Sequence, residues 1–430
     1  MRRWRRMKWL PELDMARRIE PGRPAGGIMA VAPCAMDRGV ECAYSWWLAA
    51  LVLVISSISF GAVSAVPVLL KPLAREWNTG AASIAWVHMS TLVGAGLGSL
   101  VLGRMMDRWG FFPIALTASV ATACGLFLAS RASGILTLHL ACGVLIGGVG
   151  QGAFFSPLTA ALSRWFDRHR ALAMAIGTSG QGVGGFFIPP LLRLGADRIG
   201  WRTTLELYAG VALALLVPCA LAFRRAPPVT IAAASAPAAE QRNGEHWHRF
   251  WTLGLALALT SLATFVVIGH VVAFGEERGF APVVAASLMS GLLGATLFSR
   301  LLAGWLARHW GGFRVLLVAS AIHLTGIGLL AVSQGYPALV AASALIGLGF
   351  GGYLPIYALL ASDMFPASES GRRIAEMYFF AFVAAGLGSG GGGWMHDVSG
   401  GYAMTFRCAA LMACAGMLIL VAKRKRFDVP

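Results

Sequence analysis

Residues 46–70 read WWLAALVLVISSISFGAVSAVPVLL and contain no charged side chain over 25 positions. A helix needs about 20 apolar residues to cross the hydrocarbon core of a bilayer. Comparable segments recur along the whole chain, in which 57% of the residues are hydrophobic and 13% are charged. Because a soluble protein carries roughly 25% charged residues, the sequence predicts an all-α membrane protein that crosses the bilayer many times.

Apolar segments bounded by charges, glycine or proline predict twelve transmembrane helices. The polar, Pro/Ala-rich segment 224–249 is the longest connection between them and is typical of a linker. It separates a predicted bundle at 46–223 from a second at 250–422. A basic cytoplasmic tail is predicted at 423–430. The predicted spans are 46–70, 81–103, 112–130, 134–162, 171–192, 203–223, 250–275, 281–307, 315–333, 336–362, 374–396 and 404–422.

The two halves resemble each other at an offset of about 200 residues. LGRMMDRWGFF at 102–112 corresponds to AGWLARHWGGF at 303–313, and GADRIGWR at 195–202 corresponds to MHDVSGGY at 395–402. Such agreement indicates an internal duplication, and two parallel repeats with a site between them are a transporter design. The sequence therefore predicts two pseudo-symmetric six-helix bundles.

The positive charges indicate a membrane topology. Of the 35 Lys and Arg residues, 26 lie in the predicted tails and loops on the side of both termini, and 8 lie in the opposite loops. Cytoplasmic loops carry the Lys/Arg excess, so both termini are predicted to be cytoplasmic, in a bacterial inner (plasma) membrane. The net charge of +16 then reflects topology and attraction to anionic membrane lipid rather than nucleic-acid binding.

The segment 1–45 is basic and aromatic at its start and then rich in Gly and Pro. This composition predicts a disordered cytoplasmic tail. A tether at the membrane surface and translation from Met29 or Met36 are the alternatives.

Chemistry other than transport has little support in the sequence. Five of the seven cysteines lie in predicted spans, and no metal-ligand spacing is present. The sequence shows no nucleophile–base pair and no phosphate-binding loop. We therefore predict neither an enzyme nor a resident cofactor or metal, and we expect a monomer.

Residues 103–110 read GRMMDRWG, which resembles the loop signature G-x-x-x-D-R-x-G of the major facilitator superfamily. In that family the loop follows the second span and helps to hold the cytoplasmic side closed, because its acidic residue bonds a neighbouring helix end. The basic residue usual after the last glycine is absent, since Phe111 stands there. The resemblance implies a gating role for Gly103, Asp107, Arg108 and Gly110.

Longer stretches resemble the monocarboxylate-transporter and oxalate/formate-antiporter branch of that superfamily. They are residues 59–77, 145–185 and 344–365, and the likeness covers about 43–422. The resemblance implies transport by alternating access, with a small organic anion, above all a monocarboxylate, as the substrate. The resemblance also suggests a proton as the coupling ion.

Arg300 is the one charged residue in SGLLGATLFSRLLAGWLA, residues 290–307. An arginine at the centre of a lone helix costs at least about 2.5 kcal/mol, so such residues usually face a polar interior or a partner. The planar guanidinium suits a carboxylate. The resembling family has a substrate-binding arginine in its eighth span, where Arg300 falls. A structural pairing and snorkelling toward the membrane surface are the alternatives.

Five further residues are candidates for the substrate cavity. His270 resembles a histidine of the bacterial members, and the unperturbed pKa of histidine is near 6.5, so it is the candidate proton-binding group. A hydrogen-bonded packing role is the alternative for His270. Thr296 replaces an acidic residue common in the family, and Ser64 replaces a lysine of the animal members; both replacements weaken the case for proton coupling. Gln151 is polar in mid-span and needs a partner. The aromatic candidates at or near cavity positions are Phe154, Tyr353 and Tyr357, with plain packing as the alternative for the tyrosines.

The sequence thus predicts a secondary active transporter of small organic anions that works by rocking one bundle against the other. Two alternatives stay open at this stage. One is an efflux pump for drug-like or neutral solutes, and the other is a membrane sensor that does not transport.

Overall fold

The structure is a computed structural model that describes residues 41–225, 245–365 and 367–424. These residues form helices joined by short turns, without a strand in the described ranges. They all fall within one compact unit. Parts of the predicted tails and linker lie outside the described residues, at 1–40, 226–244 and 425–430.

Twelve long helices cover the predicted spans, and we number them α1 to α12 in chain order. Shorter helices, Leu70–Glu76 and Ala222–Arg224, follow α1 and α6. The long helices are α1 (Ala43–Val68), α2 (Ala81–Trp109), α3 (Phe111–Ser130), α4 (Ile135–Ser163), α5 (Arg170–Ile199), α6 (Trp201–Leu221), α7 (Glu245–Glu277), α8 (Pro282–Trp310), α9 (Gly312–Val332), α10 (Tyr336–Met364), α11 (Ala367–Ser399) and α12 (Tyr402–Ala422).

Over the residues that the structure describes, eleven of the twelve helices are identified as long and apolar enough to cross a membrane. The remaining helix is α5. It has 30 residues, but its middle reads GTSGQGVGG at 177–185. This stretch is largely buried because α5 packs against α1 on one side and α8 on the other. Neighbouring helices, rather than lipid, therefore cover the polar groups of α5.

Helix pairing repeats between the two halves of the chain. In the first half α1 packs against α5, α2 against α4, and α3 against α6. In the second half α7 packs against α11, α8 against α10, and α9 against α12, so each pair is the earlier one advanced by six helices. The two bundles meet along α2–α11 and α5–α8, and the same six-helix shift exchanges these two contacts. The pseudo-symmetric fold predicted from the sequence is confirmed.

Glycine lets the paired helices approach closely. A Cβ at Gly184 of α5 would lie 2.2 Å from the carbonyl oxygen of Ser57 in α1. A Cβ at Gly388 of α11 would lie 2.2 Å from the carbonyl oxygen of Leu262 in α7. Neither distance leaves room for a side chain, and the two crossings are equivalent under the internal repeat. Small residues of this kind hold membrane helices together, because lipid supplies no apolar driving force between them.

Helix α7 starts earlier than its apolar segment predicts. α7 begins at Glu245, inside the predicted linker 224–249. Trp247 explains the extension, because its ring packs against Phe365 with ring centroids 5.7 Å apart. The guanidinium of Arg373 lies 4.5 Å from the centroid of the same Trp247 ring. Hydropathy does not register this amphipathic turn, since an aromatic–cation contact stabilises it.

Candidate functional site

Arg300 lies on α8 where that helix meets α5 of the other bundle, and only 8% of it is exposed. Its Nη1 donates a hydrogen bond to the carbonyl oxygen of Thr178, and its Nη2 donates to Oε1 of Gln181 at 2.9 Å. Both acceptors belong to α5 and are neutral. Arg300 Nε is buried without a hydrogen-bond partner. In the described part of the chain no carboxylate pairs with this guanidinium.

This contact lies near the middle of the helices. Helix α1 begins at one end of the bundles, and we call this end the termini side. We call the opposite end the far side. At about 1.5 Å per residue, Arg300 lies about 15 Å from Trp310, which ends α8 on the termini side. Gln181 lies about 17 Å from Arg170, which begins α5 on the same side. A helix of this length spans about 45 Å, so the charge lies well away from both helix ends.

Aromatic residues of α4 and α11 also meet across the two bundles. The Phe155 ring lies 5.5 Å from the Tyr378 ring and 5.1 Å from the Phe382 ring, measured between centroids. Phe155 departs from helical geometry, with φ −109° and ψ −91°, and so interrupts α4. Tyr378 is close enough to Arg300 for an electrostatic interaction. Helices α4, α5, α8 and α11 therefore supply the contacts around the buried charge.

Gln151 and Phe154 of α4 are buried inside the first bundle. The Ser59 hydroxyl of α1 donates a 2.6 Å hydrogen bond to Oε1 of Gln151, which provides the partner that a polar residue in mid-span needs. The Phe154 side chain is 2% exposed. The next residue, Phe155, is the one whose ring contacts the other bundle.

Tyr353 and Tyr357 of α10 lie in the interior of the second bundle, and both are fully buried. The Tyr353 hydroxyl hydrogen-bonds with Oγ1 of Thr264 at 2.8 Å, and Nε2 of His323 hydrogen-bonds with the same oxygen at 2.9 Å. The Tyr357 hydroxyl is buried without a hydrogen-bond partner. These residues form a polar cluster of α7, α9 and α10.

His270 of α7 lies in the far half of the second bundle. Its Nε2 donates a 2.8 Å hydrogen bond to the carbonyl oxygen of Ser389 in α11, while its Nδ1 is buried without a partner. The Ser389 hydroxyl in turn hydrogen-bonds with Nδ1 of His88 in α2, at 2.8 Å. Ser389 therefore connects two buried histidines that belong to different bundles.

The predicted gating loop makes its ion pair within the first bundle. Asp107 pairs with Arg164 at the end of α4 at 2.9 Å, and both side chains are largely exposed. Gly110 has φ +78°, which suits the tight turn between α2 and α3. Arg108 is exposed, and a Cβ at Gly103 would meet no neighbouring atom within 4 Å. Among the described contacts of this loop, none reaches the second bundle.

Charged contacts between the bundles lie instead on the far side. Arg193 of α5 pairs with Glu276 of α7 at 2.8 Å, with side-chain exposures of 6% and 9%. Asp397 at the end of α11 accepts backbone N–H bonds from Ala81 at 3.1 Å and Ala82 at 2.9 Å. These two amides begin α2, so the carboxylate also meets the positive end of that helix dipole. The structure is thus closed by ionic contacts on its far side.

Lys71, in the short helix after α1, adds a further charge to this far-side cluster. Burial lowers the pKa of its ammonium from the ordinary value, and the nearby carboxylates of Glu276 and Glu277 oppose that shift. Glu276 therefore faces positive charge from both Lys71 and Arg193.

The sequence did not single out Thr178, Gln181 or Phe155. Gln181, like Gln151, is a polar side chain in an apolar span. The same criterion would have made Gln181 a candidate for the substrate cavity. Thr178 contributes a backbone oxygen, which no sequence pattern marks. The sequence could not distinguish Phe154 from Phe155 as the residue that contacts the other bundle, because that depends on the break in α4.

Two helical bundles related by an internal repeat, meeting around a buried charge, are the architecture of a secondary transporter. The family model of the Major Facilitator Superfamily matches residues 51–330 and 253–428. The chain belongs to this superfamily, whose members are transporters, and it is an integral membrane protein with many spans.

Its relatives include transporters of the branch that the sequence resembles. Monocarboxylate transporter 13 of Bos taurus is 27% identical over 394 residues, which cover 90% of this chain and 91% of the relative. Monocarboxylate transporter 11 of Mus musculus is 28% identical over 393 residues, covering 87% and 86%. A crystal structure of a bacterial homolog of the human lysosomal transporter Spinster, inward-facing and unoccupied, matches with a TM-score of 0.67 at 14% identity. That match covers 90% of this chain and 98% of the Spinster homolog, and it shows a shared fold.

Proposed function

We propose that this transporter carries small organic anions, above all monocarboxylates, and that Arg300 binds the substrate carboxylate. The observation that carries the proposal is the state of the Arg300 guanidinium. It is buried at the contact between the bundles, and its described partners are neutral oxygens of α5. The similarity to monocarboxylate transporters supports the same substrate class.

Electrostatics explains why an anion suits this position. A charge that is taken out of water without a counter-ion costs several kcal/mol, roughly. A carboxylate accepts two parallel hydrogen bonds from one guanidinium edge and also neutralises its charge. Because the substrate lowers the cost of burying Arg300, it favours the intermediate in which both sides are closed. The transporter with a bound anion then changes conformation more readily than the empty transporter does.

The placement of the closing contacts supports alternating access. Arg193–Glu276 and the capping of α2 by Asp397 close the far side, so in our proposal Arg300 communicates with the termini side in this state. The excess of Lys and Arg supports a cytoplasmic location of the termini side. The monocarboxylate transporters named above come from animals, so the bacterial inner membrane stays a prediction from the sequence.

Proton co-transport, with His270 as the proton-binding group, also stays part of the proposal. Its support is the unpartnered Nδ1 of His270 and the hydrogen-bonded connection through Ser389 to His88 in the other bundle. A far-side opening that separates α2 from α11 would expose this connection to water.

Uptake into proteoliposomes tests the proposal. Labelled lactate, pyruvate and oxalate are compared with a lipophilic cation, with and without an inward pH gradient. We expect the wild type to carry carboxylates. Arg300→Ala should lower carboxylate uptake by about 10- to 100-fold, because hydrogen bonds to charged groups contribute about 1.5–3 kcal/mol and a factor of ten corresponds to about 1.4 kcal/mol.

Two variants make the result specific. Arg300→Lys keeps the charge but loses the planar fork, so its uptake should lie between those of the wild type and Arg300→Ala. Arg308→Ala removes an exposed arginine from the end of the same helix and should carry substrate normally. Wild-type uptake by Arg300→Ala would exclude the binding role. Transport of the lipophilic cation but of no carboxylate would indicate an efflux pump instead.

A further inference from the structure

The guanidinium of Arg300 presents two edges that differ in occupancy. One edge consists of Nη1 and Nη2, and both of these nitrogens donate hydrogen bonds to α5. The other edge consists of Nε and Nη2. On this edge Nε is buried without a partner, and Nη2 is held by the amide oxygen of Gln181 alone.

A carboxylate binds arginine best when its two oxygens accept parallel hydrogen bonds from one edge. Binding at the Nη1/Nη2 edge would displace both Thr178 and Gln181. Binding at the Nε/Nη2 edge would displace Gln181 alone and would satisfy the orphaned Nε. The hydrogen bond from Nη1 to the Thr178 carbonyl would persist and hold the guanidinium plane in place.

We propose that Gln181 occupies, in the empty transporter, the position that one carboxylate oxygen of the substrate takes on the Nε/Nη2 edge of Arg300. This inference rests on the proposed function, and it assigns Gln181 as a residue that positions Arg300 and sets its selectivity. The neutral amide satisfies Nη2 but leaves the charge uncompensated, so an anion displaces it and a neutral solute does not.

Packing around Gln181 favours this role. Its neighbours Gly180 and Gly182 carry no side chain, and a Cβ at Gly182 would lie 3.0 Å from Oγ1 of Thr296 on α8. The helices α5 and α8 therefore approach closely beside the Arg300 contact, and Gln181 itself is 8% exposed. Displacing its amide breaks one of the two described hydrogen bonds from Arg300 to α5. Substrate binding thus loosens the contact between the bundles at the point where they must separate.

Adding a charge at Gln181 and shortening its side chain should have different effects on lactate affinity. Gln181→Glu supplies a permanent carboxylate to Nη2, so it should compete with added substrate. We expect at least a tenfold loss of lactate and pyruvate affinity, together with a higher melting temperature of the ligand-free protein. Gln181→Ala removes the competing amide, so its lactate affinity should equal or exceed that of the wild type.

The experiment measures thermal shifts of the purified full-length variants across a lactate and pyruvate titration, followed by uptake in proteoliposomes. Gln334→Glu, which adds the same charge in the exposed turn before α10, is the matched control and should behave as the wild type. The inference is overturned if Gln181→Glu binds lactate as the wild type does. It is also overturned if Gln181→Ala loses binding as fully as Arg300→Ala, because Gln181 would then be a direct substrate ligand. Absence of carboxylate binding by the wild type itself would instead reject the proposed function, and the inference with it.

Discussion

Buried polar side chains in this protein differ in where their partners come from. Tyr353 and His323 both hydrogen-bond with Thr264, and all three belong to the second bundle. Arg300 takes its partners from the other bundle. A cluster within one bundle keeps its hydrogen bonds when the bundles rock, whereas the contacts of Arg300 must change. In the proposed mechanism, Arg300 rather than the tyrosines therefore responds to the bundle movement.

Tyr353→Phe separates a packing role from a substrate contact. The substitution removes the hydroxyl from Thr264, whose oxygen keeps His323 as a partner. We expect the free energy of unfolding to fall by about 1 kcal/mol, and the lactate concentration for half-maximal uptake to stay unchanged. Unfolding in detergent and an uptake titration measure the two effects. Weaker lactate affinity at unchanged stability would support the sequence-based prediction of a substrate contact.

At this scale the sequence identified Arg300 but not its surroundings. A lone charge in an apolar segment is visible without a structure, because its burial is costly wherever the helix lies. The neighbours of Arg300 were hidden because spans five and eight are small or apolar on most faces. Helical periodicity distinguishes a polar face from an apolar one. When both faces are buried, it does not show which face packs against which neighbouring helix. Gln151 and Gln181 therefore looked alike, although one faces α1 and the other faces α8.

Close crossings between the helices depend on glycines, whose lack of a side chain lets two backbones come into contact. A Cβ at Gly98 of α2 would lie 1.8 Å from the carbonyl oxygen of Gly148 in α4, and one at Gly347 of α10 would lie 1.8 Å from the carbonyl oxygen of Leu292 in α8. The helix pairs α2–α4 and α8–α10 are equivalent under the repeat, although the glycine lies on α2 in the first pair and on α10 in the second. Because the obstructing atoms are backbone, a rotamer change cannot relieve them.

Gly98→Ala should therefore destabilise the first bundle. We expect a loss of about 1–3 kcal/mol, since the added methyl group forces the backbones of α2 and α4 apart. Gly210→Ala on α6 is the matched control, because nothing lies within 4 Å of a Cβ there. Thermal unfolding of both variants in detergent makes the comparison. Equal stability of the two variants would show that the α2–α4 crossing tolerates a wider spacing.

Helix existence was predictable, and some helix ends were not. Each of the twelve predicted spans corresponds to a long helix because about 20 apolar residues in a row have few alternatives in a membrane. The start of α7 at Glu245 came from contacts of Trp247 with residues far along the chain. The low apolarity of α5 is tolerated only because α1 and α8 cover it. Both are tertiary effects that a local window of sequence omits.

At the scale of the molecule, the ionic contacts that join the bundles among the described residues lie on the far side. The Arg193–Glu276 pair is almost completely buried, and breaking a buried pair by removing one charge costs about 3–5 kcal/mol. Arg193 would retain Asp197, at 3.0 Å on its own helix. Loss of the Glu276 charge therefore favours states in which the far side is open.

Glu276→Gln should raise the exposure of the α2–α11 contact to far-side water. Ala85 is a suitable reporter position, because it is 1% exposed and its Cβ lies against Gly393 of α11. With the native cysteines replaced, we expect Ala85→Cys to react with an impermeant maleimide at least about tenfold faster when combined with Glu276→Gln, a change of about 1.4 kcal/mol. Glu206→Gln is the control, since Glu206 pairs with Arg131 on the same side but within the first bundle. Unchanged labelling would mean that Arg193–Glu276 does not hold the far side closed.

The sequence by itself determined the membrane-spanning helices, their internal repeat, the membership of the transporter branch it resembles, and the presence of one buried cation. These properties depend on hydropathy, on spacing and on the cost of an isolated charge, all of which are local along the chain. Only the tertiary structure decided which faces of α5 and α8 meet, that Gln181 and Thr178 receive the Arg300 guanidinium, and that Arg193 and Glu276 close the far side. Those contacts join residues about 80 to 120 positions apart, and they follow from the packing of two bundles whose helices are apolar on almost every face.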